Sequence, residues 1–169
     1  MNIDVPNDLL ELLFLRSAWG LDARRDLPPC DPAPDPGASQ RPAWLGIESV
    51  WERMWDQATS DEGASHTSEG ANFWGLQHGT AGIDLDALRH WKAVARRPVT
   101  DAQRNFGLSP ERRNAEALRT AERRGLRRII LLPVIGSYRE VRQRSLILST
   151  TMYLDRASLT GALDEYQAS

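Results

Sequence analysis

The sequence predicts an α+β fold: a mostly helical amino-terminal part, then a helix–β-hairpin–helix unit with a small antiparallel sheet. Two observations lead to this prediction. Several segments repeat apolar residues at three- and four-residue spacing, which is the period of a helix. Near the carboxyl end, residues 129–132 and 146–148 form apolar runs that are too short for helices and suit strands.

Helix boundaries are marked by residues that satisfy the free backbone groups at helix ends. Asp84 and Ser109 are good N-cap residues, Pro110 suits a first helical turn, and Gly125 suits the position after a helix. The four helices predicted before the strands span residues 6–19, 45–58, 84–97 and 110–124.

The carboxy-terminal unit is predicted to be a hairpin followed by a last helix. Residues 129–132 are apolar on both alternating faces, as in a central strand, and residues 146–148 form the return strand. Pro133 cannot donate a ladder hydrogen bond and marks a bulge, a strand end or an edge. The last helix is expected at 156–166 with Asp155 or Ser158 as its cap, and the expected exposed tip residues are Arg139, Arg142 and Arg144.

A proline-rich segment interrupts the helical part. Six prolines lie between positions 28 and 42, and proline disfavours both helix and central strand. Residues 26–43 are therefore predicted to be an extended arm within a single domain that spans residues 1–169. Residues 59–72 are polar and are predicted to form a loop.

Composition excludes several classes of protein. The chain is 41% apolar and 26% charged, which is ordinary for a globular protein. No apolar run approaches the roughly 18 residues of a membrane span, so no membrane partner is expected. The acidic amino terminus does not suit a signal peptide, and Cys30 is the only cysteine. These features predict a cytoplasmic protein without an internal disulfide.

Charge is distributed unevenly along the chain. Residues 1–90 hold 6 basic and 15 acidic residues, a net charge of −9, whereas residues 91–169 hold 15 basic and 8 acidic residues, a net charge of +7. Twenty of the 21 cations are arginine, a bias that a GC-rich genome explains. Any uncovered part of the basic half would attract anions.

Six tryptophans are many for a chain of this length, and tryptophan is a favoured anchor of protein interfaces. Four of them are candidate protein-binding residues: Trp44, Trp51, Trp55 and Trp74. Trp51 and Trp55 lie one turn apart, and core packing is the favoured interpretation of that pair. Trp74 is expected to be the most exposed of the six.

A catalytic site has only weak support. His78 precedes Asp84 and Asp86 near a helix start, where the three side chains could form a proton relay in a hydrolase. A loop followed by a capped helix gives the same pattern. The histidines are widely spaced and no HExxH or CxxC motif is present, so neither a metal nor a cofactor is expected.

Nucleic-acid binding is the second hypothesis. Residues 99–119 resemble a helix-turn-helix, although Arg113 stands where that motif has an apolar residue. With the hairpin as a wing, the phosphate-binding candidates are Arg112, Arg119, Arg123, Arg139, Arg142 and Arg144. A solvated, salt-bridged surface is the favoured interpretation of these arginines. The sequence therefore predicts a small non-catalytic protein that most plausibly binds another protein.

Overall fold

The computed structural model describes residues 1–60, 73–105 and 108–166, which form two compact units. One, the sheet unit, comprises Met1–Val5 and Arg96–Ser169. The other, the tryptophan unit, comprises Pro6–Ala95 and holds all six tryptophans. The α+β class is confirmed, because helices dominate and the strands form one small sheet.

The sheet unit is built on four strands: β1 (Asn2–Asp4), β2 (Arg128–Leu132), β3 (Arg139–Val141) and β4 (Ser145–Ser149). They form one mixed sheet of order β1-β2-β4-β3. β1 pairs with β2 in parallel, β2 pairs with β4 in parallel, and β3 pairs with β4 antiparallel.

The predicted pairing of the two apolar strands is wrong in its direction. Ile129 of β2 lies beside Leu146 of β4 in a parallel register, so these strands are neighbours without forming a hairpin. Both strands are buried along their whole length, as their unbroken apolar sequences predict. The hairpin is formed by β3 and β4, and the charged residues of β3 suit an edge strand.

Helices cover one face of this sheet. They are α5 (Pro110–Arg113), α6 (Ala115–Arg123), α7 (Thr150–Leu154) and α8 (Arg156–Asp164). Leu118, Leu159 and Leu163 pack there against Ile129 and Leu146. This apolar layer is the core of the unit.

The caps in this unit are confirmed, but the helix predicted at 110–124 is interrupted. Ser109 accepts a hydrogen bond from the Arg112 N–H, and Asp155 caps α8 through the Ser158 N–H. At the interruption, the buried Asn114 side chain donates to the Pro110 carbonyl (2.8 Å) and accepts from the Thr160 hydroxyl (2.7 Å). Asn114 therefore forms a side-chain bridge between the start of α6 and α8.

The tryptophan unit is helical, as predicted. Its helices are α1 (Asn7–Ala18), α2 (Ile47–Thr59), α3 (Phe73–His78) and the first part of α4 (Leu85–Arg104). Of these, α3 was not predicted, and α4 continues past Pro98 beyond the predicted end. The loop predicted at 59–72 lies largely outside the described residues.

The proline-rich segment packs against helices of this unit. The Trp91 indole donates to the Pro32 carbonyl (2.8 Å), and Asp84 accepts a hydrogen bond from the Ala38 N–H (2.9 Å). Gly82 has a φ of 77°, and a Cβ there would collide with the Gln40 carbonyl oxygen, so only glycine fits. Residues 26–43 contain turns and bends, and their backbone is hydrogen-bonded to α4 and to its cap residue Asp84.

Within the three described ranges, no helix combines the length and the apolar character that a membrane crossing requires.

Candidate protein-binding surface

Three of the four candidate tryptophans lie in the core of the tryptophan unit. Trp51 and Trp55 are stacked with ring centroids 5.1 Å apart, and both are fully buried. The Trp51 indole donates to the Leu12 carbonyl (2.7 Å), which anchors α2 to α1. In this conformation the two rings offer no surface to a partner, and core packing is their observed role.

Trp74 is also buried, contrary to expectation, because a distant carboxylate holds α3 in place. Glu11 of α1 accepts hydrogen bonds from the N–H groups of Phe73 (3.0 Å) and Trp74 (2.9 Å) at the start of α3. The Trp74 ring then packs edge-on against Trp19 at 5.4 Å and is only 1% exposed. Nothing in the neighbouring sequence signals this arrangement.

Glu11 is itself fully buried, and its charge is balanced by several groups. Desolvation raises the pKa of Glu11, while Lys92 and the N–H groups of α3 act in the opposite direction. The Lys92 ammonium lies 3.6 Å from the carboxylate. This pair fixes α1, α3 and α4 relative to one another within the tryptophan unit.

Trp44 is the candidate that reaches the surface. Its ring is 38% exposed and rests on α3, with centroids 5.9 Å from Trp74 and 5.8 Å from His78. Leu45 beside it is 100% exposed. Leu76 of α3 is also exposed, but it lies two residues from both Trp74 and His78 and therefore faces away from the Trp44 ring. We call the group Trp44, Leu45 and His78 the Trp44 surface.

A groove of about 270 Å³ between α2 and α3 adjoins the Trp44 surface, with His78 belonging to both. Apolar contacts come from Val50 and from the thioether of Met54, and Arg53 brings the only fixed charge. In the part of the chain that the structure describes, Arg53 has no hydrogen-bond or ion-pair partner. The lining residues are Val50, Arg53, Met54, Gln57, Gln77 and His78.

The residues of the hydrolase hypothesis are engaged separately. Asp84 caps α4 by accepting from the N–H groups of Asp86 (3.1 Å) and Ala87 (3.0 Å), and hydrogen bonds from the backbone N–H groups of Ala38, Ala87 and Asp86 lower its pKa. Asp86 forms an exposed ion pair with Arg89 (2.7 Å). His78 packs against indole rings, and among the described residues no hydrogen bond joins it to either carboxylate. The arrangement is that of a capped helix and does not form a proton relay.

The described residues form neither a metal site nor a reactive cysteine centre. Among them, no three His, Cys, Asp or Glu side chains come together as metal ligands. The Cys30 thiol is buried, and burial raises its pKa to about 11, so it is not a thiolate at neutral pH.

The six candidate phosphate-binding arginines do not form one surface patch. Arg139 forms an ion pair with Glu165, and Arg142 forms one with Glu140 (2.7 Å). Arg112 lies on α5, whereas Arg119 and Arg123 lie on α6, and Asn114 interrupts the helix between them. Of the predicted set, the exposed residues whose guanidinium has no carboxylate partner among the described residues are Arg119, Arg123 and Arg144.

Comparison of the chain with protein-family models, with curated proteins and with solved structures finds no match.

Sequence reasoning identified Trp44 as a binding residue and His78 as a catalytic candidate, but it missed Leu45 and the groove. Leu45 and Arg53 carry no motif, and only their exposure near the groove distinguishes them. The dipeptide Leu45-Gly46 is a weak signal. Gly46 has a φ of 77° and precedes α2, so Leu45 lies outside the helix. An isolated leucine before a glycine is too common a pattern to predict a site.

Proposed function

We propose that this chain is a non-catalytic protein that binds another protein through the Trp44 surface and the adjoining groove. The observation that carries the proposal is the full exposure of Leu45 beside a partly exposed tryptophan. Scattered single apolar residues are normal on protein surfaces, but a cluster beside a groove marks an interaction site. Tryptophan is also among the residues that contribute most to binding energy.

The groove favours one kind of occupant. Val50 and Met54 offer apolar contact, and Arg53 is a cation without an ion-pair partner among the described residues. The complementary ligand is a peptide segment of a partner protein that combines large apolar side chains with an acidic residue. Aspartate or glutamate would form a charge-assisted, bidentate pair with the guanidinium.

Long-range charge does not favour this ligand, so the contact has to be local. The tryptophan unit holds 7 basic and 14 acidic residues, a net charge of −7. At physiological ionic strength the Debye length is about 8 Å, so the distant carboxylates are largely screened at the groove. Affinity for an acidic peptide should therefore rise with salt until the direct Arg53 contact is itself weakened.

Selection from a phage-displayed library of random peptides tests the proposal. We expect the full-length protein to enrich peptides that combine aromatic or leucine residues with Asp or Glu. Leu45→Glu should abolish this enrichment, because it places a carboxylate on the apolar contact. Arg53→Glu should switch the selected peptides from acidic to basic.

Leu108→Glu is the matched control, because Leu108 is 64% exposed in the sheet unit and should leave the selection unchanged. Tryptophan emission of each variant checks that the unit remains folded. The proposal fails if no peptide family is enriched, or if the enriched peptides bind the Leu45→Glu variant as tightly as the unaltered protein.

A further inference from the structure

Four exposed arginines gather where β2 and β4 begin. Arg123 and Arg124 end α6, and the turn at Gly125 leads from there into β2. The Arg127 N–H donates to the Arg144 carbonyl (2.8 Å), so these two residues are neighbours across the parallel pair. We call Arg123, Arg124, Arg127 and Arg144 the arginine edge.

Arg127 and Arg144 stand directly before the strands, which begin at Arg128 and Ser145. Both side chains are exposed, as are those of Arg123 and Arg124 at the end of α6. Only a short turn separates Arg124 from Arg127, so the end of α6 stays close to the start of β2.

Carboxylates do not neutralise this edge in the described part of the chain. Arg124 donates to the Asp164 backbone carbonyl (2.7 Å), and Arg123 donates to the Thr120 hydroxyl (3.0 Å). Neither Arg127 nor Arg144 has an ion-pair partner among the described residues. The acidic residues close in sequence are used elsewhere: Glu122 pairs with the terminal ammonium of Met1 (3.0 Å).

The charge of the whole unit reinforces the local pattern. The sheet unit holds 14 basic and 9 acidic residues, a net charge of +5, whereas the tryptophan unit carries −7. The whole chain is therefore close to neutral although its sheet unit is cationic. A cationic unit attracts polyanions.

We propose that the arginine edge binds the phosphate backbone of a nucleic acid. Neighbouring strands lie about 4.8 Å apart, which sets the backbones of Arg127 and Arg144 side by side. Their long side chains are exposed and can spread to contact two phosphates of one strand. Guanidinium forks also match phosphate oxygens bidentately.

This contact depends on the charge and spacing of the phosphates and does not recognise bases. Phosphate contacts position a protein on a duplex but carry no sequence information. The edge is formed by the start of a sheet and the end of a helix, so no helix of the edge is presented end-on to a groove. Binding is consequently sequence-independent and depends strongly on salt.

Fluorescence anisotropy of labelled duplexes of mixed sequence, with DNA and RNA in separate arms, tests the proposal on the full-length protein. We expect Kd in the range of about 10⁻⁴ to 10⁻⁶ M at physiological salt, as for other sequence-independent binding. Arg127→Gln with Arg144→Gln should weaken binding and reduce the slope of log affinity against log salt by about two units. A difference between the arms identifies which nucleic acid supplies the phosphates.

The matched control is Arg97→Gln with Arg104→Gln, two exposed arginines of α4 in the same unit. Both double variants lower the net charge equally, so a diffuse charge effect would reduce the slope by the same amount in each. Equal loss in the two variants, or unaltered protein that binds neither duplex at 10⁻⁴ M (the weak end of the range), overturns the proposal. An unchanged melting temperature confirms that each variant is folded.

Discussion

The two units differ in which groups satisfy the backbone. In the sheet unit, strands pair with strands, and Ile129, Leu131, Leu146 and Leu148 lie on a ladder of backbone hydrogen bonds. In the tryptophan unit, side chains bond to carbonyls of segments that have no regular structure. The Trp19 indole donates to the Gly82 carbonyl (2.9 Å), and the Trp91 indole donates to the Pro32 carbonyl (2.8 Å).

Arg16 is the clearest example of a side chain that bonds to backbone carbonyls in this unit. Its guanidinium donates to the carbonyls of Ala23 (3.0 Å), Arg24 (3.2 Å), Leu27 (2.7 Å) and Pro28 (3.2 Å). Proline has no N–H, and a run of prolines disfavours both a helix and a central strand. A chain rich in proline thus needs long donor side chains to pair its carbonyls, and indole and guanidinium groups provide them.

The comparison can be observed directly, because all six tryptophans lie in the tryptophan unit and all three tyrosines lie in the sheet unit. Tryptophan emission and the ¹⁹F NMR signals of protein labelled with fluorotyrosine therefore report on different units. The prediction of a single domain expects both signals to change at one urea midpoint. Separate midpoints would contradict it.

The largest effect is expected from Glu11→Ala in the tryptophan unit. The substitution leaves two buried N–H groups of α3 without an acceptor and removes the carboxylate that Lys92 faces. We expect the free energy of unfolding to fall by about 3–5 kcal/mol, measured by urea denaturation with tryptophan emission. Glu52→Ala, at an exposed position of α2, should change it by less than about 0.5 kcal/mol. Similar losses in the two variants would show that the buried carboxylate has no special role.

In the sheet unit the largest loss of stability is expected from truncating a buried apolar side chain. Leu131→Ala empties part of the layer between β2 and the helices and should cost about 2–5 kcal/mol, read from the tyrosine signal. Val141→Ala on the edge strand, where the side chain is 37% exposed, should cost much less. A loss as small as that of the edge variant would mean that the ladder alone holds the sheet.

Arg16→Met tests the bonding of the proline-rich segment. Methionine keeps an apolar chain of similar length but cannot donate, so the carbonyls of the segment lose a charge-assisted partner. A loss of about 1–3 kcal/mol is expected in the tryptophan-reported transition. Arg25→Met, at an exposed ion pair with Asp22, should leave the midpoint unchanged. If Arg16→Met also has no effect, water satisfies these carbonyls equally well.

The smallest expected effect is a pH dependence with opposite signs at two carboxylates. Burial raises the pKa of Glu11 above 4.5, so the folded state binds the proton more tightly than the unfolded chain. The stability difference between unaltered protein and Glu11→Gln should therefore decline as pH rises through the folded pKa. For Asp84→Asn the difference should instead vanish as pH falls, because N–H groups lower the pKa of Asp84. The same sign in both titrations would contradict these shifts.

Local features were well predicted. Ser109 and Asp84 act as caps in the structure, and Gly125 follows α6 with a φ of 107°. Each of these roles depends on atoms within about four residues, which a sequence displays directly. The apolar face of α2, with Trp51 and Trp55 buried, was predictable for the same reason.

The strand β1 and the helix α3 were missed because each depends on a distant segment of the chain. β1 pairs with β2 across more than 120 residues, and a three-residue strand with one apolar residue gives no recognisable alternation. Similarly, α3 depends on Glu11, which lies 62 residues before Phe73 in the chain.

By itself, then, the sequence determined the α+β class, the caps, the proline-rich interruption and the opposite charges of the two ends. Hydrophobic periodicity and local hydrogen bonding encode these properties within one or two turns. Tertiary structure alone decided that β2 and β4 run parallel, that Trp74 is buried while Leu45 is exposed, and that Arg127 lies beside Arg144. Strand direction and exposure depend on which distant segments fill the remaining space, and a period of two is the same for either direction of pairing.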